Sequence, residues 1–225
     1  MGMIVLVGSG CARTQPDIRV IMNGKQYLAL GDSYTIGQSV AESARWPVQL
    51  AAKLREQGIA VPNPRIIAHT GWTTADLAAE MPDVANGETF DLVTLLIGTN
   101  DEFQGHTADE YRQGFSSLLQ QSIALARGNP THVIVLSIPD WGTTPFAAGQ
   151  DRAAIAAAID RFNVINQEET TRLGAQYVDI ITTTRAAAND PESFARDGLH
   201  YSAQMYARWA ELAIPAASQA LGKNP

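Results

Sequence analysis

The chain has 225 residues, 45% of them hydrophobic and 17% charged, and a formal net charge of −7. That length suits one domain with an ordinary globular core, and an acidic chain with no basic stripe argues against nucleic acid or an anionic membrane face as its main partner. Cys11 is the single cysteine, which excludes an internal disulfide framework and any cysteine-built zinc or iron–sulfur site.

Met3 to Val7 is apolar and Gly8-Ser9-Gly10-Cys11 follows, small residues before a cysteine as in the lipobox of bacterial lipoproteins. The apolar run is shorter than the 7–15 residues of a signal segment. No Lys or Arg precedes Cys11, and Gly8 stands where leucine is usual. Two expectations result: a functionless tail over residues 1–23 in a cytoplasmic protein, or, if the start is truncated, export as a bacterial lipoprotein anchored at Cys11. Residues 24–225 form the expected folded domain. No later stretch is long and apolar enough to span a bilayer.

From there short β-rich runs alternate with helical patterns. Gln26–Leu30 predicts the first strand, and Arg65–Ala68, Asp91–Ile97, His132–Ser137 and Gln176–Ile180 the next four. Continuous apolar runs such as Leu92 to Ile97 suit strands covered on both faces. Arg45–Gln57 reads as a helix with Pro47 in its first turn and Gly58 past its end. Thr74–Met81, capped by Thr74, is a shorter one. Asp109–Arg127 stops at Gly128-Asn129-Pro130, Asp151–Leu173 stops at Gly174, and Ser202–Leu221 is expected to bend at Pro215. The order predicts a three-layer α/β/α domain with a five-stranded, flavodoxin-like parallel sheet. Thr35–Ala44, Ile138–Gln150 and Asp190–Tyr201 are the long irregular segments, at or near the carboxyl edge where such folds bind ligands.

Gly31-Asp32-Ser33 follows the first strand directly, placing a serine on a tight turn at that edge. By itself the triplet is an ordinary turn. Asp197-Gly198-Leu199-His200 adds what a serine hydroxyl needs, a base and a group to orient it. His69, His106 and His132 have no such company. Gly98-Thr99-Asn100-Asp101 ends the third strand, and an Asn amide can donate to an oxyanion. Gly71, after the second strand, offers a backbone N–H. Asp101 is expected to brace the Asn100 loop. Trp141 and Phe146, in Ser137–Phe146, could wall a pocket for an acyl or sugar group or simply cover the core. Trp46 reads as packing, and Trp72 has the better claim to the pocket.

Four motifs in this order, a Ser after strand one, a Gly after strand two, Gly-x-Asn-Asp after strand three and Asp-x-x-His before the last helix, resemble the SGNH hydrolases, the GDSL esterase/lipase family. The resemblance runs from about Tyr27 to Trp209. It implies Ser33 as nucleophile, His200 as base and then acid, and Asp197 orienting His200. The oxyanion hole would come from the Ser33 and Gly71 N–H groups and the Asn100 side chain. Tyr201 departs from the proline that many members carry after the histidine. The implied activity is hydrolysis of small carboxylic esters with short to medium acyl groups through an acyl-enzyme, with no metal or organic cofactor. Acyl transfer to a sugar or other alcohol uses the same site, and a ligand-binding module without catalysis would keep only the fold. A flavin- or nucleotide-binding domain lacks its phosphate-binding glycine motif here.

Overall fold

The computed structural model describes residues 25–84 and 87–222. The expected tail, 1–23, and the Cys11 motif lie outside these residues. The elements in chain order are β1 (Tyr27–Gly31), α1 (Ser33–Ile36), α2 (Trp46–Glu56), β2 (Arg65–Ala68), α3 (Thr74–Val84), β3 (Leu92–Leu96), α4 (Thr99–Phe103), α5 (Ala108–Leu125), β4 (Val133–Leu136), α6 (Arg152–Leu173), β5 (Gln176–Val178), α7 (Ile181–Ala186) and α8 (Ala203–Ala220). All five strands are parallel in the order β2-β1-β3-β4-β5. This is the flavodoxin-like order, and the direction in which successive strands are added reverses between β1 and β3.

Alternation along the strands sorts the core into two layers. Tyr27 and Ala29 of β1, with Leu92 and Leu96 of β3, face Trp46, Leu50 and Leu54 of α2 and Trp209, Ala213 and Ala217 of α8. Leu28, Leu30, Val93 and Leu95 face Leu77 of α3, Tyr111 and Phe115 of α5 and Ile159 and Phe162 of α6. Both faces are covered, which is why the strand sequences read as unbroken apolar runs.

Local signals explain the helix ends. Thr107 and Glu110 form a capping box at α5, and Gly174 closes α6 in the left-handed conformation. At α3 the cap is Thr73 rather than Thr74: the Thr73 N–H and hydroxyl donate to Asp76, and the Asp76 N–H returns to the hydroxyl. Ser202 caps α8, which runs Ala203–Ala220 through Pro215 as one helix. The segments expected to be irregular hold the end of α1, and short 3₁₀ turns at Glu42–Ala44, Trp141–Thr143, Pro145–Ala147 and Pro191–Ser193. Pieces this short carry no helical periodicity to read. Among the described residues no helix is long and apolar enough to cross a membrane.

Candidate active site

The chain leaves β1 at Gly31, where a Cβ would strike the Thr35 hydroxyl and the Leu96 carbonyl. Only glycine lets the backbone turn so close to β3. Asp32 then caps α1, its Oδ1 accepting the Tyr34 N–H at 2.9 Å, and Ser33 is the first residue of that helix. Asp32 is fully buried, and among the described residues its Oδ2 has no hydrogen-bond partner. Burial pushes its pKa up to about 8; the Tyr34 N–H opposes the rise and the Asp101 charge adds to it. The carboxyl beside Ser33 therefore holds its proton to a much higher pH than a free aspartate does.

His200 sits in a loop pinned at its base by the Phe194–Tyr201 bridge and by the Ala195 N–H donating to the His200 carbonyl at 2.8 Å. Its Nδ1 faces Asp197 Oδ2 at 2.8 Å. A carboxylate only accepts, so Nδ1 carries the proton and Nε2 is left as the acceptor. Asp197 Oδ1 takes the Leu199 and His200 N–H groups, each at 2.9 Å, while Oδ2 also takes the Ser39 hydroxyl. Partial burial raises the Asp197 pKa, but these hydrogen bonds, led by that of Ser39, outweigh it and hold the carboxyl well below the usual range.

The third strand ends at Leu96, Gly98 follows as the N-cap of α4, and Asn100 lies in that helix. Its side-chain amide donates to the Trp72 carbonyl at 2.9 Å, which uses one of its two N–H bonds. Asp101 is fully buried and accepts the Thr74 N–H at 3.0 Å together with the Thr74 hydroxyl. It braces the start of α3, and through it the Gly71–Thr73 turn. Gly71 is exposed on that turn at φ +88°, in the left-handed region that favours glycine.

Ser33, Asn100 and His200 line one small cavity of about 80 Å³ at the β1/β3 switch point. Its apolar wall is Phe103, Trp141 and Leu199, and Tyr34 lies beneath, its ring centroid 5.3 Å from that of His200. Trp141 is fixed by its indole N–H on Glu102 at 2.7 Å; burial raises the Glu102 pKa. Phe103, 57% exposed, and Phe146, 48% exposed, extend the wall outward, with Phe103 edge-on to Trp141 at 5.2 Å. A larger hollow of about 310 Å³ near Met81 and Leu125 offers Glu88 as its lone ionisable group and no nucleophile with a base.

The sequence model of the GDSL-like lipase/acylhydrolase family matches residues 29–208. The chain belongs to that family. Gly31-Asp32-Ser33-Tyr34 is its form of the motif in the family's name. An arylesterase of Vibrio mimicus is 29% identical over 123 residues, 52% of this chain and 58% of that protein, so the match spans little more than half of the relative's length. Among solved structures, TesA superposes with a TM-score of 0.69 at 19% identity, covering 87% of this chain and 99% of that one. The psychrotrophic esterase EstA of Pseudoalteromonas sp. gives 0.67 at 13% identity, covering 87% and 97%. Likeness at this identity establishes the fold, here the same sheet with helices on both faces.

In this GDSL-like chain, Ser33, Asn100 and His200 meet at one cavity and Asp197 stands behind His200. Gly71 does not line that cavity; it is tied to it through Trp72, whose carbonyl holds Asn100. Trp72, with the better claim to the pocket on sequence, does not line it: its ring lies beside His69 at 5.6 Å, packed on the α3–α5 core. Trp46 is core, as read. Tyr201, in the place of the usual proline, is buried against Tyr34 and Trp209. Sequence reasoning missed Phe103 and Ser39. An aromatic two residues after Asp101 was the available signal for the first; Ser39 had none.

Proposed function

We propose that this protein hydrolyses carboxylic esters of small acyl groups, with Ser33 as nucleophile. The observation that carries the reading is the His200–Asp197 pair at 2.8 Å, opening on the cavity that Ser33 and Asn100 also line. Nε2 of His200 takes the Ser33 proton as Oγ attacks the ester carbonyl, and the tetrahedral oxyanion forms. The Ser33 N–H and the second amide N–H of Asn100 are its donors in that cavity, and the Gly71 N–H, on the adjoining turn outside the cavity lining, is the third donor that the family pattern implies. Protonated His200 gives its proton to the departing alcohol. The same base then activates water, which attacks the acyl-enzyme and releases the acid. A neutral Asp32 spares the oxyanion a negative neighbour.

The cavity is small, about 80 Å³, which favours acetyl or a similar short acyl group. The exposed ring faces of Phe103 and Phe146 favour an apolar or aromatic part in the rest of the ester. The arylesterase relative points the same way. Purified protein should turn over p-nitrophenyl acetate faster than the butyrate, and S33A should abolish turnover and labelling by a fluorophosphonate. Equal, slow hydrolysis by wild type and S33A would remove the proposal. Attachment to a membrane through a lipidated Cys11 is a separate proposal, tested by detergent-phase partition of wild type against C11A.

A further inference from the structure

Ser39 lies on the exposed loop after α1 at φ +67°, one of two non-glycine residues in the left-handed region among those described. A serine held there is strained, and a strained residue persists where its surroundings dictate it. The Ser39 hydroxyl donates to Asp197 Oδ2 at 2.5 Å across 158 residues of sequence. That oxygen is also the one facing His200 Nδ1 at 2.8 Å. The other donors to Asp197, the N–H groups of Leu199 and His200, belong to its own loop. Among the described residues Ser39 alone comes from elsewhere, from the loop that follows the helix starting at Ser33.

The same loop reaches the oxyanion side. The Gln38 N–H donates to the Ser33 carbonyl at 2.9 Å, and Gln38 Oε1 accepts the Thr70 hydroxyl at 2.9 Å, next to Gly71. Gly37, left-handed as the C-cap of α1, turns the chain into it. Residues 37–39 thus join the serine turn, the Gly71 turn and the Asp197–His200 loop.

We propose that Ser39 is a positioning residue of the reaction, its hydroxyl fixing the Asp197 carboxylate so that Oδ2 addresses His200 and the acid–base loop keeps register with Ser33. This rests on the Ser33–His200–Asp197 reading above. A merely structural hydrogen bond would lower stability and activity together. A positioning role separates them, because the hydroxyl serves the site while the φ of Ser39 strains the fold.

The test compares S39G, S39T and wild type. Glycine removes the hydroxyl and relieves the backbone; threonine keeps the hydroxyl but is β-branched and disfavours this φ more. S39G is expected to be at least as stable to urea as wild type, with kcat for p-nitrophenyl acetate down roughly tenfold, the scale of one charge-assisted hydrogen bond, and KM unchanged. S39T should be less stable and recover most of the lost kcat. Wild-type kcat in S39G, or kcat losses that follow stability in both variants, would overturn the proposal. The proton on His200 Nδ1, followed by ¹H–¹⁵N NMR, gives a readout that needs no turnover. In S39G its shift or exchange rate should change, and an unchanged signal refutes Ser39's role even if wild type proves inactive. Inactive wild type would count against the esterase reading alone.

Discussion

Asp32→Asn is expected to stabilise the protein by an amount that grows with pH. Folded Asp32 keeps its proton up to about pH 8, whereas a free aspartate loses it near 3.8. The folded pKa lies above the unfolded one, so the group's stability is fully present below about pH 4 and is lost as pH rises towards 8. In that window unfolding releases a proton, and wild type loses about 1.4 kcal/mol of stability per pH unit, roughly 3 kcal/mol between pH 5 and 7. Asparagine does not titrate, and its Oδ1 can still accept the Tyr34 N–H at the cap. Urea denaturation of both proteins at pH 5, 6 and 7 measures the difference, in which every other titrating group cancels. A difference that stays constant across this range would refute the burial account. A difference that moves in favour of wild type as pH rises would mean that Asp32 is ionised and paired in the fold. The same proton predicts kinetics: wild-type kcat/KM should fall above pH 8, and D32N should hold its rate there.

Asn100→Ala should lower kcat by about 10² to 10³ by removing an oxyanion donor, with fluorophosphonate labelling of Ser33 slowed in step. Unchanged kcat would remove Asn100 from the site. Phe103→Ala should raise KM for p-nitrophenyl esters about threefold to tenfold at similar kcat, the scale of one aromatic contact; steady-state kinetics on aryl and methyl esters should show the loss for the aryl series only. Arg185 pairs with buried Asp140 at 2.8 Å and with Asp160 at 2.9 Å, anchoring the loop that carries Trp141. Its replacement by alanine leaves the Asp140 charge buried and alone, at a cost of about 2–3 kcal/mol, less than for a fully enclosed pair because Arg185 is partly exposed. Thermal melts should report that loss, and an unchanged Tm would mean Asp140 is held by its backbone partners alone.

The sequence by itself determined the layers and pointed to a flavodoxin-like closure, whose strand order the folded chain then gave. Apolar runs such as Leu92–Ile97 suit strands covered on both faces, and with capped helices alternating between them a parallel, doubly wound sheet is the simplest closure. The candidate residues were legible from their places along the chain and from the family resemblance those places carry: Ser33, Gly71 and Asn100 come just after strands, and Asp197 and His200 just before the last helix. Thr73 in place of Thr74 as a cap shows the limit of that reading, since adjacent threonines look alike until Asp76 and Asp101 each take one. Tertiary structure decided what depends on side-chain direction and long-range approach. It turned Trp72 away and brought Phe103 to the wall. It buried Asp32 with no partner for its Oδ2 among the described residues. It also carried Ser39 to an aspartate at the other end of the chain. Periodicity reports which face of an element is covered; contacts between loops far apart in sequence leave no period, and so only the folded chain reveals them.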